Sequence, residues 1–156
     1  MMVMKVITIW QPWATLIMAG AKPYEFRGWP APRALVGTRI GVHAGGRPVK
    51  PAELQDLVLR LRGDHAWTTG LKPEARKLLE RWLAEPDQLP RSCVLGTALL
   101  GEPRRAHEIA GDLGGPFNDS DRDEHSNWAW PMSAPLHFEP PIPAAGRQGF
   151  WTLQGV

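Results

Sequence analysis

Apolar and polar positions along this chain change their period often, and each stretch is short. Lys5-Val6-Ile7-Thr8-Ile9-Trp10 is rich in β-branched residues and alternates partly, which predicts a strand. Gln11-Pro12 ends it. Proline suits the first turn of a helix, and Trp13, Leu16 and Ile17 then fall on one helical face. Gly20 supplies a C-terminal stop, and Pro23 keeps the helix from continuing. Tyr24-Glu25-Phe26-Arg27 fits a short second strand, with Glu25 and Arg27 on one face and Tyr24 and Phe26 on the other. A Pro-rich connection, Gly28 to Gly37, leads to a third strand over Thr38 to Ala44, closed by Gly45-Gly46.

The period then lengthens to that of helices. Leu54, Leu57, Val58 and Leu61 stripe one from Pro51 to about Arg62, and Leu78, Leu79 and Trp82 stripe another from about Lys72 to Ala84. Cys93 to Gly101 is a continuous apolar run between Pro90 and Glu102-Pro103, as a buried strand requires. The Gly-, Asp- and Asn-rich residues 111–127 predict a loop. Trp128-Ala129-Trp130, Leu136-His137-Phe138 and Phe150-Trp151-Thr152-Leu153 predict three further short strands between Pro- and Gly-rich turns.

These elements describe an α+β chain whose strands form a small closed or nearly closed β-barrel, with helices at its rim and a helical insertion over about 51–88. A length of 156 residues suits a single domain over 1–156. Sixteen Gly and sixteen Pro favour many short elements joined by turns over a helix bundle. The lone Cys93 excludes an internal disulfide and Cys-based zinc frameworks, and its place opening a strand suits a small buried residue. MMVMKVITIW is too short and too soon polar for a signal peptide, and no run of about 18 apolar residues exists. A cytoplasmic protein without membrane contact is expected. The net charge of +2 is compatible with a phosphate-bearing partner and does not by itself point to one.

Chemistry concentrates beside the first helix. Gln11, Lys22, Glu25 and Arg27 flank that helix, with Glu25 and Arg27 on one strand face and Lys22 at the neighbouring turn. Gln and Glu match the donor–acceptor edges of a base, while Arg or Lys takes a phosphate or carbonyl. The same groups can instead serve as acid–base machinery, Lys22 and Glu25 being the catalytic pair in that case. A surface salt-bridge cluster without function has the same spacing. Among the eight tryptophans, Trp82 and Trp67 suit packing, while Trp13, Trp29, Trp128 and Trp130 lie near the polar groups and suit either packing or stacking on a base. His43, between Val42 and Ala44, faces away from the apolar side of its strand. The acidic run Asn118 to His125 resembles a calcium loop but has Glu124 where Gly belongs and Trp130 where Glu belongs, so no metal is expected. No phosphate-loop, Rossmann, HExxH or nucleophile-elbow pattern occurs, and no cofactor is implied.

Ile9-Trp10-Gln11-Pro12-Trp13-Ala14 followed by Gly20-Ala21-Lys22-Pro23-Tyr24-Glu25-Phe26-Arg27 resembles the signature of the ASCH domain family: a Gln-Pro-aromatic helix start, then Gly-x-Lys-x-x-Glu-x-Arg. Ile40-Gly41-Val42-His43-Ala44 is similar to the family's Ile-x-x-His-Ala strand, Val94-Leu95-Gly96-Thr97-Ala98 to its next barrel strand, and Pro141 to Trp151 to its closing Gly-containing segment. The resemblance implies a PUA-like barrel that binds RNA, single-stranded nucleic acid or a modified nucleoside. It places Lys22, Glu25 and Arg27 on the ligand, with Gln11 and His43 beside them. Trp10 stands where many relatives carry Arg, which removes a phosphate contact or replaces it with stacking. The family's acetylcytidine amidohydrolases carry Thr three residues after the motif Lys, where this chain has Glu25. Ribonuclease relatives suggest Lys22 with His43 or Ser126 as acid–base groups. A hydrolase is therefore the alternative to a binding module, and an adaptor presenting the helical insertion is a third reading.

Overall fold

A computed structural model describes residues 3–113 and 128–155. The acidic run 118–125 and Ser126 lie outside the described residues. Strand β1 (Val3–Ile9) leads into helix α1 (Trp13–Met18), β2 (Tyr24–Arg27) and β3 (Arg39–Ala44). Helices α2 (Pro51–Arg62) and α3 (Ala75–Ala84) follow, then β4 (Cys93–Leu100), β5 (Arg104–Arg105), β6 (Trp128–Pro143) and β7 (Phe150–Gln154).

The strands form one mixed sheet in the order β2-β6-β4-β3-β1-β7, with β5 also on β6. The β1–β3 pair is parallel because a crossover through α1 and β2 separates them in sequence, and every other pair is antiparallel. The expected barrel is not closed: β2 and β7 end the hydrogen-bonded path. The register explains the opening. β7 pairs with Val3 to Ile7, which leaves Thr8, Ile9 and Trp10 outside its backbone ladder. Side chains span the gap where the ladder does not. Trp130 of β6 stacks on Phe150 of β7 with centroids 5.9 Å apart, and Arg27 Nη2 of β2 donates to the Thr8 carbonyl of β1 at 3.3 Å.

The two strands expected at 128–130 and 136–138 are one strand, β6, of 16 residues. Its prolines signal breaks in the sequence, because proline cannot donate to a ladder. The strand survives them by changing partners. Residues 128–131 pair with β2, and 132–143 pair with β4 through two register shifts. Bulged, partner-switching stretches tolerate missing donors.

Helix α1 lies between two cores. Ile17 and Met18 pack under the sheet with Ile7, Ile40, Val42, Leu100 and Trp130. Leu16 and Ala21 pack with Leu54, Leu57, Leu79 and Trp82 of the inserted helices. The insertion therefore shares its apolar cluster with α1 and is anchored there, and the Lys72 amide donates to the Ala21 carbonyl at 2.8 Å. Cys93 is buried, and desolvation pushes its thiol pKa up. No described helix is long and apolar enough to cross a membrane.

Candidate functional site

A cleft of about 910 Å³ opens where β1 runs out from under β7. Thr8, Ile9 and Trp10 form one side, and Gly45-Gly46 after β3 adjoin them. Lys22, Glu25, Phe26 and Arg27 come from the α1–β2 turn and β2, and Gly146 to Gly149 from the loop before β7.

At the inner end sits a three-residue ion cluster. Gly20, with φ of 77°, reverses the chain after α1, and the Lys22 amide donates back to the Leu16 carbonyl at 3.1 Å. Lys22 is thereby tucked against the start of β2 and is only 4% exposed. Its Nζ donates to the Tyr24 carbonyl, lies 3.5 Å from Glu25 Oε1 and stands 4.8 Å from the Phe26 ring centre. Glu25 is 7% exposed, and its Oε2 accepts from Arg27 Nε at 3.0 Å with Nη2 at 2.8 Å. Alternation along β2 puts Glu25 and Arg27 on one face, as their spacing requires. Each carboxylate oxygen of Glu25 thus faces a cation. A buried carboxylate needs such partners, because desolvating it alone costs several kcal/mol.

Three indoles line the same cleft: Trp10, Trp13 and Trp29. Trp10 and Trp29 are each 56% exposed, which is unusual for side chains this large and leaves ring surface open to a ligand. Both are held from outside the cleft. The Arg47 guanidinium lies 4.2 Å from the Trp10 ring centre and is itself gripped by Glu53 of α2 through two 2.8 Å hydrogen bonds. Arg47 holds the Glu53 carboxyl below its ordinary pKa, mainly through those bonds. A Cβ on Gly45 would come within 3.1 Å of Trp10 Cδ1, so the ring lies close against backbone there. Trp29 is held by its carbonyl, which accepts from the buried Trp130 indole at 3.0 Å.

Several of the expected contact residues lie elsewhere. Gln11 is fully buried and outside the cleft. Its Nε2 donates to Thr15 Oγ1 at 2.6 Å and the Pro90 carbonyl at 2.8 Å, and its Oε1 accepts from the Thr15 amide at 3.0 Å. It satisfies the start of α1 and ties it to the segment before β4. Trp130 is a core side chain, and Trp128 packs beside the same core beneath Arg105, 4.2 Å from its ring. His43 is fully buried behind the cleft. Its Nε2 lies 2.7 Å from the Ala144 carbonyl. A carbonyl only accepts, so Nε2 carries a proton here, and Nδ1 has no partner among the described residues. Gly146 covers it: a Cβ there would lie 2.6 Å from His43 Cε1, 2.9 Å from Nδ1 and 2.9 Å from Thr8 Oγ1.

Sequence reading alone did not single out Thr69, Arg147 and Gln148 as cleft residues. Arg147 and Gln148 stand between Gly146 and Gly149, and paired glycines around polar residues in a short loop are the one signal that marks them. Among the described residues, the ionisable side chains of the cleft are Lys22, Glu25, Arg27 and Arg147. Positive charge therefore prevails. Among the described residues no group of His, Cys, Asp and Glu is arranged to hold a metal ion. No protein family and no curated protein matches this chain.

Proposed function

We propose that this chain is a binding module for an unpaired nucleobase, taken as a nucleoside or as part of single-stranded RNA or DNA, on an open, PUA-like sheet of the ASCH type. The observation that carries the reading is the juxtaposition of three partly open indoles with the Lys22–Glu25–Arg27 cluster in one cleft. A flat aromatic ligand gains about 1–3 kcal/mol per base from stacking on such surfaces. Cationic and amide groups at the same place offer donors to base carbonyls and phosphate oxygens. The motif Gly20 to Arg27 supports the family resemblance, since its three charged residues meet at the cleft.

Binding is a better account of the cluster than hydrolysis. Lys22 Nζ already donates to a carbonyl and faces Glu25, and both Glu25 oxygens face cations. His43 is separated from the cleft by Gly146. The test is calorimetric titration with the four common nucleosides, acetylcytidine and the matching single-stranded pentanucleotides. Trp10→Ala should weaken binding by about five- to a hundredfold, the stacking range. Failure of the wild type to bind any of these refutes the reading. Conversion of RNA or acetylcytidine to product by the wild type, lost in Lys22→Met, would replace it with the hydrolase reading.

A further inference from the structure

Beside the cleft lies a second concavity of about 620 Å³, lined by Lys5, Arg147, Gln148, Phe150, Trp151, Thr152 and Gln154. The two hollows share Arg147 and Gln148, so they adjoin at the loop before β7. We propose that this second hollow is a phosphate-binding subsite for the next nucleotides of a single strand whose base occupies the cleft. The inference rests on the binding reading above and specifies its ligand class: a polynucleotide chain rather than a lone nucleoside.

Charge and topology carry the proposal. The hollow contains two cations, Lys5 and Arg147, with amides from Gln148 and Gln154, and no carboxylate among its described residues. A hollow for a phosphodiester needs this balance: cations and neutral donors without an opposing acid. Lys5 is paired in register with Thr152, and its Nζ donates to Thr152 Oγ1 at 2.9 Å, which holds the ammonium across β7. Arg147 is exposed and forms no ion pair among the described residues, so its charge is available at the junction.

The scale fits as well. Lys5 lines the second hollow and Ile9 the cleft, both on one face of β1, and four residues at ~3.3 Å span about 13 Å. Stacked nucleotides advance ~3.4 Å each along one strand, so about four advances cover that distance. Because β7 is a sheet edge, a strand leaving the cleft passes over Arg147 onto the β7 side without crossing a wall of paired backbone. The aromatic cleft and the basic hollow then divide the work, one taking the base and the other the backbone.

The test compares Lys5→Glu with the wild type on two sets of probes: the four nucleosides, and single-stranded pentanucleotides of RNA and of DNA. Lys77→Glu on α3, outside both hollows, is the control for a change in net charge. Lys5→Glu should weaken pentanucleotides several-fold while leaving nucleoside affinity unchanged, and the slope of log K against log salt should shrink by about 0.7 for one lost single-strand phosphate contact. Loss on RNA alone or on DNA alone identifies the backbone preferred, and either supports the subsite. An equal effect on nucleosides and pentanucleotides, no effect on either, or an equal effect from Lys77→Glu overturns the subsite while the base-binding cleft stands. Failure of the wild type to bind any probe overturns both.

Discussion

Arg27→Ala removes one side chain and exposes a predictable debt in the buried ion cluster. The guanidinium contributes two contacts to Glu25 Oε2, at 2.8 and 3.0 Å, one to the Thr8 carbonyl at 3.3 Å and a ring contact to Trp130 at 5.9 Å. Truncating one partner of a buried pair costs about 3–5 kcal/mol, because the remaining charge is stranded in low dielectric. Two features reduce that here. Lys22 stays 3.5 Å from Glu25, and the Arg27 side chain is 21% exposed, so water reaches the vacated space. A loss of about 2–3 kcal/mol follows, equivalent to roughly 4–12 °C in Tm for a chain of this size. Urea unfolding at neutral pH measures it. Glu25→Gln combined with Arg27→Ala completes a double-mutant cycle, and the coupling should be about 1–3 kcal/mol. A loss under about 1 kcal/mol, or additive effects, would show that these charges are solvated independently and that the cluster is not one unit.

Two further predictions test the supports of the cleft. Gly146→Ala places a methyl 2.6 Å from His43 Cε1 and 2.9 Å from Thr8 Oγ1, so it should destabilise by about 1–3 kcal/mol in thermal unfolding, and a wild-type melting curve would contradict the close approach. Arg47 lowers the Glu53 pKa, so their pairing contributes stability above the carboxyl's ordinary value of 4.5 that is lost as pH falls through the lower folded value. Arg47→Ala should therefore flatten the fall in stability below about pH 4.5, and an unchanged acid limb in the mutant would refute the assignment.

Local chemistry made much of this fold legible. The bounds of β2 and α2 follow from alternation in one case and from Pro51 and the Leu54, Leu57, Val58 and Leu61 stripe in the other. The Lys22–Glu25–Arg27 cluster was legible for the same reason, since all three lie within six residues on a turn and one strand face. What escaped depends on partners distant in sequence. Trp10 becomes a cleft wall because β7 stops short of it, and Arg147 joins the cleft from the other end of the chain. Gln11 and His43 mislead for the opposite reason. Polar side chains near a motif invite a ligand role, yet Pro90 and Ala144 carbonyls claim them from 79 and 101 residues away. The prolines of β6 suggested two strands because their cost is visible locally, whereas the bulged partners that absorb it are not.

Helix α2 contributes no residue to the cleft, yet Glu53 fixes the guanidinium that underlies Trp10. The orientation of a cleft-lining ring is therefore set by an element that contributes nothing to the cleft's own lining. Shortening or replacing that helix would free the Trp10 ring, even in a protein whose sheet and charged cluster remained intact.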